Sequence, residues 1–445
     1  MYVKNVLNEL SSRYPWEKEF IVSVTEVFES IEDIIERGPA YKKYKILERI
    51  VEPERIISFR VPWRDDRGEV QVNTGYRIEF NSALGPYKGG LRFHSSVNQS
   101  IMKFLAFEQT FKNALTGLPM GGAKGGSNFN PRGKSDAEIM SFCQSFMSEL
   151  FRHIGANTDI PAGDIGVGTR EIGYLFGQYK RLKNTFEGVL TGKGINWGGS
   201  LVRPEATGYG VVYFANEMLK TKGIDIKGKI VAISGFGNVA WGTVKKLSEL
   251  SARVVTLSGP DGFIHDPEGI TDEEKINYLL EMRISGKDEV KSYADKFKVK
   301  FYPGKKPWGI KCDLAIPCAT QNELDINDAN ELLKNKVIVV AEGANLPCTQ
   351  DAVKLFRNNK ISFAPGKAAN AGGVSCSGLE MSQNSMRISW SRAEVDARLQ
   401  EIMINIHNDC WATAHEFGKA GDYVDGANIK AFKKVSDAMM DLGIV

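Results

Sequence analysis

The chain has 445 residues, 42% hydrophobic and 25% charged, with 57 basic against 54 acidic side chains and a net charge of +3. That length predicts two or three domains. The composition excludes a disordered, collagen-like or coiled-coil protein, and the even charge balance excludes steering towards nucleic acid or an anionic membrane. Cys143, Cys312, Cys318, Cys348, Cys376 and Cys410 form no C-x-x-C pair and lie mostly among apolar residues, which predicts reduced thiols in the cytoplasm. The five histidines show no H-x-x-x-H or H-E-x-x-H spacing, so no metal site is expected. Charges interrupt every apolar stretch before Phe59, and no run of about 18 apolar residues follows, so neither a signal peptide nor a membrane span is expected.

Along the chain, Phe20, Val24, Val27, Ile31, Ile34 and Ile35 recur at helical spacing between Trp16 and Arg37, and Gly38-Pro39 stops that helix. Alternation over Arg55 to Phe80 predicts a β-hairpin turning at Asp65-Asp66-Arg67-Gly68. Ile57, Phe59 and Val61 are expected on one face, joined by Val70 and Val72. A glycine-rich, lysine-bearing region runs from Gly85 to Gly126, broken by a helix from Ile101 to Leu115. From about Arg203 short apolar runs alternate with helical stretches: Ile230–Ser234, Arg253–Ser258, Cys312–Ile316, Val337–Ala341 and Ile361–Ala364. That rhythm predicts a parallel sheet covered on both faces, with a domain boundary near 200.

Gly235-Phe236-Gly237-Asn238-Val239-Ala240 fits G-x-G-x-x-A, with a strand before it and a helix after it. Gly235 permits the tight turn, Gly237 lets backbone approach a pyrophosphate, and Ala240 lets the helix pack close to the sheet. A plain strand-to-helix turn is the bland alternative, and the flanking elements favour a dinucleotide site. Asp261 is the acid available to read the adenosine ribose, although it comes slightly late in Ser258-Gly259-Pro260-Asp261. No lysine or arginine lies between Val254 and Ile264 to meet a 2′-phosphate. NAD is therefore favoured and NADP stays open, with Arg283 or Lys287 as cations able to fold back.

Three lysines have unusual settings. Lys88 lies in Gly85-Pro86-Tyr87-Lys88-Gly89-Gly90, Lys112 on a mostly apolar helix after Gln109, and Lys124 in Gly121-Gly122-Ala123-Lys124-Gly125-Gly126. A single lysine is ordinarily a solvated surface residue. Flanking glycines instead let backbone crowd a ligand at which the lysine points. A Walker A loop does not fit, because Asn128 stands where its first glycine is required. Converging cations imply an anionic substrate, and their repulsion and desolvation lower a lysine pKa towards that of a usable base. Asp164, between glycines in Pro161-Ala162-Gly163-Asp164-Ile165-Gly166, is the candidate acid partner, with a turn or helix cap as its bland alternative.

At these residues the sequence resembles the hexameric glutamate dehydrogenase family, of the bacterial type within the Glu/Leu/Phe/Val dehydrogenases. The likeness runs through nearly the whole chain. It is carried by Pro86-Tyr87-Lys88-Gly89-Gly90-Leu91-Arg92-Phe93, Pro119-Met120-Gly121-Gly122-Ala123-Lys124-Gly125-Gly126, Pro161-Ala162-Gly163-Asp164, Arg203-Pro204-Glu205-Ala206-Thr207-Gly208 and Asn370-Ala371-Gly372-Gly373-Val374. The resemblance implies an α/β protein. Residues 1–200 would form an N-terminal α/β substrate-binding and oligomerisation domain, and residues 201–420 a Rossmann-like domain. The C-terminal helix, 421–445, would pack back on the first domain, and the active-site cleft would lie between the two.

It further implies reversible oxidative deamination of glutamate to 2-oxoglutarate and ammonia, by a cytoplasmic homohexamer that needs no metal. Lys124 would be the catalytic lysine and Asp164 its acid/base partner. Lys88 and Ser377 would hold the side-chain carboxylate, Lys112 and Gln109 the α-carboxylate, and the Gly163 carbonyl the amino group, with Gly89, Arg203 and Val374 also at the substrate. Thr207 and Asn238 would contact the cofactor, and Asn345 and Asn370 would lie near its ribose and nicotinamide, beside the cofactor-binding candidates Gly235, Phe236, Gly237, Val239 and Asp261 that the G-x-G-x-x-A loop and its following strand supply. The rivals are a same-fold dehydrogenase of an apolar amino acid, which would lack a cation at the side-chain end of the pocket, and a non-catalytic nucleotide-binding protein, which would need neither Lys124 nor Asp164.

Overall fold

The alternation after Arg55 folds as a hairpin of two long strands, β1 (Arg55–Arg64) and β2 (Val70–Asn81), paired antiparallel with Arg64 opposite Val70. Asp65 closes the turn, its carboxylate accepting from the Arg67 and Glu69 amides, and Gly68 takes φ +82°. This register corrects one expectation. Val61 lies opposite Asn73 and Trp63 opposite Gln71, whereas Val70 and Val72 lie opposite Arg64 and Pro62. Residues paired across a ladder share a face, so the length of the turn places Val70 and Val72 on the other side of the sheet. There they are exposed, while Val61 and Trp63 are buried. The structure, a computed structural model, describes residues 2–445.

The chain divides into two units. One contains the residues through Leu201, Ser377–Val395 and Asn428–Val445; the other contains Val202–Cys376 and Asp396–Ala427. Residues 377–395, expected in the second domain, thus belong to the first unit. Their helix, Gly372–Met386, ties itself there: Gln383 donates to Ser200, Asn384 donates to the Gly198 carbonyl, and Gly378 faces Leu118 and Met120.

The first unit is built on a mixed sheet, completed by β3 (Tyr87–Phe93), β4 (Gly122–Ser127) and β5 (Asp159–Gly163) in the order β1-β2-β4-β3-β5. β3 runs parallel to both β4 and β5. Helix Gln99–Leu115, capped by Asn98, buries Phe104, Phe107 and Phe111. Helices Asp136–Leu150 and Thr169–Lys183 close a second core in which Val61, Trp63, Phe93, Phe129, Phe142 and Phe146 meet. Each ring buried there contributes about 1.5–3 kcal/mol.

Beneath the sheet centre, the fully buried Arg77 reaches from β2 across two strands to Asp159, with Nε 2.7 Å from Oδ2, and donates to the Gly89 carbonyl. Glu79 is buried beside this pair. Its carboxylate has no hydrogen-bond partner, and Arg55 approaches it to 2.7 Å from a mostly exposed position. Burial, with the Asp159 charge, outweighs Arg55 and Arg77 and pushes the Glu79 carboxyl up to about 7. The folded chain therefore holds a proton there that the unfolded chain releases near pH 4.5. Stability should fall by about 3 kcal/mol as pH rises through that window. Glu79→Gln should flatten the change in urea midpoint between pH 5 and pH 8; an unchanged slope would show that Glu79 ionises freely.

The second unit carries an all-parallel sheet in the order β13-β12-β11-β6-β7, made by β6 (Ile230–Ile233), β7 (Arg253–Val254), β11 (Leu314–Ile316), β12 (Val339–Ala341) and β13 (Ser362–Ala364). The run expected as one strand over Arg253–Ser258 is two. β7 ends at Val254, and Thr256 begins β8 (Thr256–Gly259), which joins β9 (Gly262–His265) and β10 (Lys300–Pro303) in a small antiparallel sheet. β6 has β7 on one side and β11 on the other, so the chain order reverses at the end of β6, the place where open α/β sheets bind ligands.

Candidate active site

Period-two alternation places Lys88, Gly90 and Arg92 on one face of β3. A side chain at Gly90 would collide with Asp164 Cβ, the Gly163 carbonyl and Lys124 Nζ. The glycine therefore keeps open the space that these two charged residues occupy. Lys124, on the adjacent strand β4, brings Nζ to 3.3 Å from Asp164 Oδ1, and Arg92 Nε lies 2.7 Å from Oδ2. Lys124 is 6% exposed and Asp164 17%.

Burial pushes the Lys124 ammonium below the ordinary lysine value, aided by Arg92 and Arg77 and opposed by Asp164. Burial acts to raise the Asp164 carboxyl, but Lys124 and Arg92 outweigh it and hold it at about 2. The pair is thus an amine whose loss of a proton burial favours, beside a carboxylate that stays ionised throughout the neutral range. A buried lysine lowered in this way, in contact with a carboxylate held ionised, suits acid–base work.

Lys88 is 1% exposed. Its Nζ donates to the Ile160 carbonyl on β5 at 3.0 Å and to Thr191 Oγ1 at 2.8 Å. Asn113, fully buried, donates to the Lys88 and Gly121 carbonyls and accepts from Gln109 Nε2 at 2.7 Å. It ties helix Gln99–Leu115, with half-buried Gln109 and Lys112, to the strand that carries Lys88. Gly89 is required by packing, because any side chain would strike the Ala123 carbonyl, so only its backbone can serve a ligand. Gly163 ends β5 and leads into Asp164. Ser377 is buried in the same unit.

The remaining predicted residues belong to the second unit: Arg203, Thr207, the loop from Gly235 to Val239, Asp261, Asn345, Asn370 and Val374. Gly235 takes φ +78° and its amide donates to Ser258 Oγ at 3.0 Å. Gly237, the N-cap of helix Asn238–Glu249, is exposed, and a side chain there would meet no protein atom within 4 Å. Nothing in the protein demands that glycine, whereas a phosphate resting on the helix N-terminus would. This fits a dinucleotide. Nearby, Asn370 donates to Asn345 Oδ1 at 3.1 Å, and Thr207 packs against Gly373.

Asp261 departs from the ribose role expected of it. It sits in the two-residue turn joining β8 to β9, and its carboxylate accepts from the backbone amides of Val290 and Lys291, each at 3.0 Å. It secures the start of helix Lys291–Phe297. Arg283 lies over the Trp241 ring, 5.6 Å from its centre.

Arg92, Thr191 and Asn113 were not singled out in the sequence. Arg92 was findable, since alternation from Lys88 through Gly90 puts it on the same face. Thr191 was not, because no local pattern says which strand a glycine-rich loop will dock on. Among the described residues no group of three or more His, Cys, Asp or Glu side chains is placed to hold a metal, and no helix is long and apolar enough to cross a membrane.

Comparison with known proteins adds to this geometry. A family model described as Glutamate/Leucine/Phenylalanine/Valine dehydrogenase matches residues 198–443, and the Glu/Leu/Phe/Val dehydrogenase dimerisation domain matches residues 53–181. The chain is 60% identical to an NAD-specific glutamate dehydrogenase of Bacteroides fragilis, covering 100% of both chains. It is 53% identical to an NADP-specific glutamate dehydrogenase of Haemophilus influenzae, covering 98% of both. A solved glutamate dehydrogenase structure matches with a TM-score of 0.99 at 57% identity, covering 100% of this chain and 99% of the other.

Proposed function

Because the chain belongs to the Glutamate/Leucine/Phenylalanine/Valine dehydrogenase family, we propose that it is an NAD(P)-dependent glutamate dehydrogenase whose acid–base pair is Lys124 and Asp164. The observation that carries this reading is the Lys124–Asp164 contact over the bare backbone of Gly90.

Glutamate and 2-oxoglutarate each carry two carboxylates at neutral pH. Lys88 meets the distal carboxylate with Ser377, and Lys112 and Gln109 meet the α-carboxylate, so the pocket measures the distance between the two charges. Lys124, depressed by burial, takes and returns the proton of the water that adds to the α-carbon. Asp164 carries the proton of the nitrogen as ammonia leaves or adds, and the Gly163 carbonyl orients that nitrogen. Bound at the Gly235–Val239 loop, with Thr207, Asn345 and Asn370 around it, the nicotinamide dinucleotide supplies the hydride acceptor. A dehydrogenase for apolar amino acids would not need a cation such as Lys88 at the side-chain end of its pocket.

With Asp261 held by the amides of Val290 and Lys291, the preference for NAD rests on the lack of a cation from Val254 to Ile264, and NAD-specific relatives support it. A missing charge-assisted hydrogen bond to the 2′-phosphate costs about 1.5 kcal/mol, roughly tenfold. NADH oxidation with 2-oxoglutarate and ammonium should therefore proceed with kcat/KM about tenfold above that for NADPH. Equal or greater efficiency with NADPH would overturn the cofactor reading, and no turnover with either would overturn the function. The assembly proposed is a homohexamer, for which light scattering should give the mass of six 49.3-kDa chains. The buried cysteines Cys143, Cys312, Cys318 and Cys348, which form no disulfide, support a cytoplasmic setting.

A further inference from the structure

A glycine-rich loop passes behind Lys88. Between residues 188 and 200 it contains Gly188, Gly192, Gly194, Gly198 and Gly199, so its own sequence holds it weakly. Yet Thr191, at its start, is fully buried and accepts from Lys88 at 2.8 Å. Two attachments fix it. The Thr191 amide donates to the Pro161 carbonyl, next to the Ile160 carbonyl that also accepts from Lys88. Immediately after it, Glu380 holds the chain. Glu380 Oε2 accepts from the Gly192 amide at 3.0 Å, and Oε1 accepts from the Lys193 amide at 3.3 Å and stands 2.8 Å from Lys193 Nζ. The Glu380 side chain is 0% exposed and that of Lys193 is 1%.

Glu380 lies three residues after Ser377, and Asn384, seven residues on, donates to the Gly198 carbonyl. Residues at those spacings form one row along a helix. A single helix row thus carries Ser377 and also grips the loop that carries Thr191.

We infer that Glu380 is a positioning residue for recognition of the substrate's distal carboxylate: through the Gly192 and Lys193 amides it sets the Thr191 hydroxyl against Lys88, in register with Ser377. The inference rests on the reading that Lys88 meets that carboxylate. Glu380 touches neither Lys124 nor Asp164, so its loss acts on the distal end of the substrate and leaves the proton transfers alone. Lys193 supplies the countercharge that lets a carboxylate be buried there.

The test compares glutamate with L-norvaline, which has the same chain without the distal carboxylate. In Glu380→Gln the amide keeps the volume, but its NH₂ end cannot accept from the Lys193 amide. KM for glutamate should rise about tenfold with kcat within about threefold of wild type, and the glutamate-to-norvaline ratio of kcat/KM should fall about tenfold. A second variant, E380L with K193M, removes both buried charges and leaves no unpaired ion. It should melt close to wild type and show the same loss of discrimination. Wild-type KM and selectivity in the folded variants, or an equal loss for glutamate and norvaline, overturns the inference. Lys88→Leu separates the two levels. If it leaves the preference for glutamate intact, the reading of Lys88 itself fails. If it abolishes that preference while both Glu380 variants keep it, only the role of Glu380 fails.

Discussion

Lys124→Ala is expected to lower kcat by about 10²–10⁴-fold with little change in KM for glutamate. The side chain is nearly buried, and its ammonium is depressed by that burial and by Arg92 and Arg77. Those features move it in the direction a general base needs, without a metal or a histidine. Alanine removes the base and leaves the binding groups where they were. Lys88 keeps its bonds to Ile160 and Thr191, and Gln109 keeps its bond to Asn113. In wild type, deamination should accelerate as pH rises through the lowered Lys124 value, because the neutral amine is the working form. That limb should vanish from the pH profile of the variant. A wild-type kcat, or a KM that climbs in step with the loss of rate, would remove Lys124 from the chemistry.

Asp164→Asn is expected to cost a comparable factor of about 10²–10⁴ in kcat while cofactor affinity stays unchanged. Asparagine preserves the shape and removes both the charge and the carboxylate oxygen that would take up and return a proton. Its effect on Lys124 has a definite sign. The carboxylate is what opposes burial at Lys124, so without it the lysine pKa moves further down, and the rate limb of any residual activity shifts to lower pH. Arg92 loses its partner at the same time. Cofactor titration by protein fluorescence and steady-state turnover should therefore separate, since the Gly235–Val239 loop belongs to the other unit. If both fall together, Asp164 is a structural residue.

How far the sequence could be read depended on the range over which each feature is decided. The Gly235–Ala240 loop was legible because a turn needing positive φ, an open N-cap and a buried alanine are all set within six residues. Lys88, Lys124 and Asp164 were legible as a group through their glycine settings, although nothing local says that Gly90 is bare to admit the other two. Val70 and Val72 were misplaced because a hairpin's register depends on its turn, and one residue more or less exchanges the faces. Asp261 was misread because a strand break at Val255 converts the approach to the ribose into a separate antiparallel hairpin. Residues 377–395 were assigned to the wrong body because helix Gly372–Met386 passes from one unit to the other with no change in composition.

The chain passes between its two units four times, at 201/202, 376/377, 395/396 and 427/428. A ribosome delivers residues in order, so the unit begun first is also the one finished last. Until Asn428–Val445 emerges, the buried faces of Ile429, Phe432 and Val435 have no counterpart in place. Tyr41 then lacks the Phe432 ring that packs 5.5 Å from it, and Ser30 lacks the Asn428 amide. The second unit needs less of the chain and is complete at Ala427. During synthesis the nucleotide-binding half can thus reach its final form while the half that holds Lys124 and Asp164 still waits, which ties the appearance of activity to the emergence of Asn428–Val445. A polypeptide stalled before Asn428 should bind dinucleotide and turn over nothing.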